Sequence, residues 1–139
     1  MSKAVDETIQ TFLSDTRIGI LTSLTSAGAP LAVPIWYEWD GERIWFFSEG
    51  HAAKIKRLQR DPRVSLLVAR PAGEPEYWVA VDGTAKIHDT SALDLIERLA
   101  ARYWDLSQEG PASILKSWRD NADSFRLVEI VPTKIRSYG

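Results

Sequence analysis

Two stretches limit the architecture more than any other feature of the chain. "LAVPIWYEW" (Leu31 to Trp39) and "RIWFFS" (Arg43 to Ser48) are β-rich, yet apolar residues fall on both sides of the strand. A half-buried antiparallel strand alternates apolar and polar, so these strands must be covered on both faces. A closed barrel hides one face. The other must meet a helix, a second subunit or a ligand, and for so small a domain this predicts a homodimer.

The rest of the chain supplies the other parts of such a barrel. "DETIQTFLSD" reads as a short amphipathic helix, with Asp6 as cap and Ile9, Phe12 and Leu13 at helical spacing. "RIGILTSLT" (Arg17 to Thr25) is a strand, and "SAGAP" is turn chemistry leading into Leu31 to Trp39. Asp40-Gly41 matches a two-residue type I′ hairpin signal. "RVSLLVAR" and "YWVAVDGTAKIH" follow as strands, the second with a bulge or bend at Asp82-Gly83. "DTSALDLIERLAARYWD" predicts a helix capped by Ser91, with Leu93, Ile96, Ala100 and Tyr103 on one stripe. "EGPASILKSWRDNAD" adds a turn and a shorter helix, and "FRLVEIVPTKIRSYG" closes the chain as strand material broken at Pro132. The expectation is a single domain over residues 1–139, mainly β, with six strands and flanking helices.

Composition narrows the chemistry. Seventeen Lys and Arg against 19 Asp and Glu leave a net charge of −2, so no global field draws the chain to nucleic acid or an anionic membrane. There is no cysteine, which removes disulfides, thiolate nucleophiles and Cys-ligated metals. The start "MSKAVDETIQTFL" lacks the pattern of a secretory signal, so a cytoplasmic protein is expected. His88 has no partner at metal spacing, and no GxSxG, HExxH or GxxxxGK pattern occurs. No metal and no catalytic side chain is assigned, so any chemistry must come from an organic cofactor. Six Trp in so short a chain serve either core and dimer packing or stacking on a planar ligand.

One segment is strongly basic. "SEGHAAKIKRLQRDPR" places five Lys or Arg and one acid between His51 and Arg63, directly after the aromatic strand. It reads as a helix over His51 to Arg60, with Ala52, Ile55 and Leu58 inward and "DPR" as its stop. Two readings stand. The cations form a solvated helix face, or they hold an anion: Ser48 and Gly50 expose main-chain N–H groups at the helix start and Lys54 adds charge. His51 either caps the turn or contacts that anion. Pro34, which lacks an N–H, marks either an edge strand or a strand turned to a ligand ring, with Ile35 and Trp36 as an apolar wall.

From Arg17 to Ala69, and more loosely through "VAVDGTA" to "IVPTKIRSYG", the order of parts resembles the split β-barrel flavin and deazaflavin oxidoreductases grouped around pyridoxamine 5′-phosphate oxidase. The carriers of the likeness are the Gly-Pro turn, "VPIWY", the Asp-Gly hairpin, "FFS", the Lys-rich turn and "DPRVSL". What the resemblance implies is a six-stranded antiparallel Greek-key split barrel, homodimeric, with cofactor in grooves at the subunit interface. It implies that Val33, Pro34, Ile35 and Trp36 line the ring, that Ser48 and Glu49 bond the ring edge or ribityl chain, and that His51, Lys54 and Lys56 hold the phosphate. Tyr77 and Trp78 are the candidates contributed by the opposite subunit. The segment "AAKIKRLQRDPRVS" is most similar to the branch using coenzyme F420, in which Lys56, Arg57 and Arg60 would serve an acidic tail, and FMN is the competing cofactor.

The expected function is hydride transfer between bound FMN or F420 and a small planar acceptor. The alternatives are a non-catalytic flavin or haem carrier on the same barrel, and an OB-like single-strand binder. Net acidity and a single local basic patch argue against the last.

Overall fold

A computed structural model describes residues 5–138. Seven antiparallel strands form one sheet: β1 (Gly19–Leu24), β2 (Pro30–Ile35), β3 (Glu38–Trp39), β4 (Ile44–Glu49), β5 (Arg63–Ala69), β6 (Trp78–His88) and β7 (Phe125–Ser137). Their order is β2-β1-β5-β6-β7-β4-β3, so β2 and β3 are the two edges. Four helices flank the sheet: α1 (Glu7–Ser14), α2 (Ala53–Arg60), α3 (Leu93–Tyr103) and α4 (Glu109–Asp120). None is long and apolar enough to cross a membrane.

The sheet has seven strands rather than the six expected, and the reason lies in Leu31 to Trp39. That run is two strands. β2 pairs with β1, whereas Glu38 and Trp39 pair with β4 at the other edge, so the chain steps across the open seam at Trp36 and Tyr37. Inward alternation continues through the step, and Ile35, Tyr37 and Trp39 are all buried.

The core lies inside the curl, where Leu21, Phe46, Leu66, Val81 and Ile130 meet. Helix α1 joins this core through Phe12 and Leu13, and Asp6 caps it by accepting from the Thr8 amide at 2.7 Å. The buried Tyr37 hydroxyl donates to the Leu13 carbonyl at 2.9 Å, and Trp39 Nε1 donates to Gln10 at 2.6 Å. Burial raises the Tyr37 phenol well above its ordinary pKa, so this donor stays protonated.

One turn and one strand differ from expectation. No non-glycine residue among those described has a positive φ, which excludes a type I′ turn with Asp40 at a central position. Instead Asp40 begins a loop to Arg43, its carboxylate accepting from the amides of Glu42 and Arg43 at 2.8 and 2.7 Å. Pro132 does not break β7. The strand runs through it, and the pairing with β6 shifts register between Asp82 and Gly83, the bulge expected there. A Cβ on Gly83 would stand 2.2 Å from the Val131 carbonyl oxygen, so the two backbones approach as only glycine permits.

Helices α3 and α4 lie between β6 and β7 in sequence; the N-cap of the first is Ala92 rather than the expected Ser91, whose hydroxyl, one residue earlier, accepts from the Leu93 amide at 3.1 Å. Ala92, Ile96, Ala100, Leu115 and Phe125 form a second core, against which Trp36, Phe47, Trp104 and Trp118 pack. The second apolar face of the two aromatic strands is therefore covered within one chain, by this helix pair.

Candidate functional site

The open seam between the sheet edges contains a cavity of about 330 Å³ lined by Ile18, Pro34, Ile35, Trp36, Phe47, Lys54 and Trp118. That volume is in the range of roughly 300–1,000 Å³ usual for small-molecule sites. Pro34 fits both of its readings at once. It sits in an edge strand, where ladder bonds are required on one side only, and it lines the cavity.

Aromatic rings build one end of this groove. Trp36 stacks on Tyr103 with centroids 5.0 Å apart and planes at 6°, and its edge contacts Trp104 at 4.7 Å and Trp118 at 5.9 Å. Trp118 in turn stacks on Trp104 at 5.2 Å and meets Phe47 at 5.5 Å. Tyr103 fixes the arrangement to the barrel, because its hydroxyl donates to the Arg17 carbonyl at 2.6 Å while its ring holds Trp36.

Lys54 supplies the charge. It is half-buried, and burial of the ammonium, followed by the neighbouring Arg57, pulls its pKa below the usual lysine value. Among the described residues no carboxylate pairs with it. Arg57 is committed elsewhere, its Nε donating to Ser23 at 2.9 Å. Helix α2 starts at Ala53, its N-cap Ala52 offers no side-chain bond, and its first turn carries no acid. An anion beside Lys54 would meet an uncapped helix start and a desolvated ammonium together.

Of the residues singled out in the sequence, Pro34, Ile35, Trp36 and Lys54 come together in the groove. Val33 packs against the inner core, and Ser48 is buried with its hydroxyl donating to the Glu49 carbonyl at 3.4 Å. Glu49 and His51 pair with each other on the surface, at 2.9 Å. The Gly50 amide is taken by the Ser124 carbonyl at 2.8 Å. Lys56 is exposed, two positions and about 200° around the helix from Lys54. Tyr77 packs edge-on against Phe12 at 4.9 Å in a separate cavity near α1, and Trp78 opens β6 opposite Ala69. His88, unpartnered in the sequence reading, bonds the buried Glu129 at 2.8 Å.

Three lining residues escaped that reading. Ile18 and Phe47 lie in strand segments whose outward positions looked like ordinary sheet, and Trp118 comes from a helix 71 positions after Phe47. The surplus of Trp was the one available signal.

Residues 5–139 match the family model described as pyridoxamine 5′-phosphate oxidase. The chain belongs to that family. Several solved structures share the fold of this pyridoxamine 5′-phosphate oxidase family member. An F420 reductase is 22% identical, with TM-score 0.78 over 95% of this chain and 98% of its own. A conserved hypothetical protein from Mycobacterium tuberculosis is 26% identical, with TM-score 0.73 over 99% and 88%. A heme binding protein from Mycobacterium smegmatis is 21% identical, with TM-score 0.65 over 94% of this chain and 52% of its own.

Proposed function

We propose that this chain is a flavin- or deazaflavin-dependent oxidoreductase that binds FMN or coenzyme F420 in the seam groove. The observation that carries the reading is the polarity of that groove, with aromatic walls at Trp36, Phe47 and Trp118 and one unpaired, half-buried ammonium at Lys54. A planar ring joined to a phosphate has the same two-ended chemistry. When bound, such a cofactor supplies hydride transfer to or from a small planar acceptor. The chain's own part is to grip the anionic end with Lys54 and the start of α2, to hold the ring with Ile35 and Trp36, and to keep water out. Among the described residues Lys54 is the one ionisable side chain lining the groove, which suits positioning rather than acid–base work by the protein. The similarity to an F420 reductase supports the deazaflavin choice.

The reading includes a homodimer. Ile20 and Leu67 are cross-strand neighbours, both exposed on the outer sheet face, and Pro34 lies opposite Ile20 on the other side. This apolar strip runs to the groove through Ile18 and Pro34, so a second copy seated on it would close the groove. Tyr77 and Trp78 are the proposed contributions from that second subunit.

A carrier of flavin or haem is the second reading, favoured by the fold shared with a heme binding protein. Titration of the purified protein with FMN, riboflavin and F420, followed by absorbance, tests the first. Saturable binding of FMN or F420, tighter than riboflavin, is expected, with the reduced cofactor reoxidised by a quinone or nitroarene. No binding of either would refute the assignment, and binding without reoxidation by any acceptor would favour the carrier.

A further inference from the structure

We propose that the Lys54 amine captures aromatic aldehydes in the seam groove as an imine, which makes this side chain a site of reversible covalent modification. The capture itself does not depend on the groove holding a cofactor. Only its competition with FMN or F420 rests on the reading above.

Lys54 differs from the other described lysines in its surroundings. It lines a cavity of about 330 Å³ whose remaining walls are apolar, three of them the rings of Trp36, Phe47 and Trp118. An aryl ring laid against those walls leaves its carbonyl carbon at the Lys54 end. Among the described residues no carboxylate holds the Lys54 ammonium, whereas Lys116 is paired with Asp120 at 3.2 Å. Burial, followed by the neighbouring Arg57, disfavours the charged form, so more of Lys54 is present as the free amine that attacks a carbonyl. Lys56, two positions on, is exposed on the far side of the helix and serves as an internal reference.

The step balances without an oxidant or reductant. The ammonium gives a proton to solvent, and the Nζ lone pair then adds to the aldehyde carbon. The carbonyl oxygen leaves as water as the C=N bond forms, and water reverses the step when the aldehyde is dilute. An aliphatic aldehyde undergoes the same chemistry and gains no ring contact from the walls. Preference for aryl over alkyl at Lys54 is therefore the signature of the groove.

The test treats the purified protein with 2-naphthaldehyde or with butanal, reduces any imine to a secondary amine with cyanoborohydride, and maps the modified lysines by peptide mass spectrometry. The Lys54-to-Lys56 labelling ratio should be about 2- to 10-fold higher with naphthaldehyde than with butanal, the value of one aromatic contact. Phe47→Leu, which removes one ring from the wall, should lower that preference. An equal ratio for the two aldehydes, or Lys54 labelled no more than Lys56 by naphthaldehyde, would overturn the inference. Added FMN should protect Lys54 and leave Lys56 unchanged. Selective labelling of Lys54 that FMN does not reduce would sustain the inference and count against the placement of the cofactor's anionic end, so the two readings fail separately.

Discussion

Replacing Lys54 by alanine should lower cofactor affinity without lowering folding stability. A hydrogen bond to a charged group contributes about 1.5–3 kcal/mol. Lys54 is half-buried, so water can partly fill its place, and the lower part of that range applies, about 1.5–2 kcal/mol, or roughly 10- to 30-fold in Kd. Riboflavin, which has the same ring without the phosphate, should change by less than about 2-fold. Lys54→Arg should restore most of the loss, because the charge and donors return. Stability should hold or rise in Lys54→Ala, since burial and Arg57 already disfavour the ammonium. The pH dependence has a definite sign. The folded pKa lies below the unfolded one, so in that window the unfolded chain binds more protons and stability increases with pH. FMN affinity of the wild type should fall through the same window and that of Lys54→Ala should not. Fluorescence titration gives the Kd values and urea midpoints give the stabilities. Equal weakening of FMN and riboflavin would refute the placement of the anionic end at Lys54.

Two further perturbations probe the scaffold and the assembly. Glu129 is buried and bonded to Arg43 and, at 2.8 Å, to His88, and these bonds outweigh the upward effect of burial to hold its pKa below the usual glutamate value. Glu129→Gln should cost about 2 kcal/mol, less than a fully buried pair because Arg43 and His88 reach solvent. A loss below about 0.5 kcal/mol by urea denaturation would show the pair to be of the exposed kind. The wild-type contribution is present above the unfolded pKa and is lost as pH falls through the folded one. Leu67→Glu puts a charge at the outer end of the exposed apolar strip, beside Ile20, and should yield monomer in sedimentation, with weakened FMN binding. A dimer that survives the change would move the interface to another face.

Much of the scaffold could be read from local chemistry. The Asp6 cap, the stop at Pro62, the bulge at Gly83 and the aromatic strands covered on two faces are each decided by a few neighbouring residues. The seventh strand was not legible, because Leu31 to Trp39 reads as one unbroken apolar run and nothing local marks the step from one sheet edge to the other at Trp36. The site divides along the same line. Lys54 and the Pro34 to Trp36 wall sit within continuous motifs, whereas Trp118 joins them through a helix that packs from a distance. That Ser48 and Gly50 were satisfied inside the fold could not be foreseen, since the partner of the Gly50 amide is the carbonyl of Ser124, 74 residues on.

The contact between Gly83 and Val131 reaches further than its own bulge. β6 is the fourth of seven strands, with three on each side, so it stands at the spine of the curled sheet. A change in bend at the spine carries both rims with it, as the hinge of a shell sets its gape. The width available to a molecule between Pro34 and Phe47 is therefore governed in part from the far wall, at a place no ligand touches.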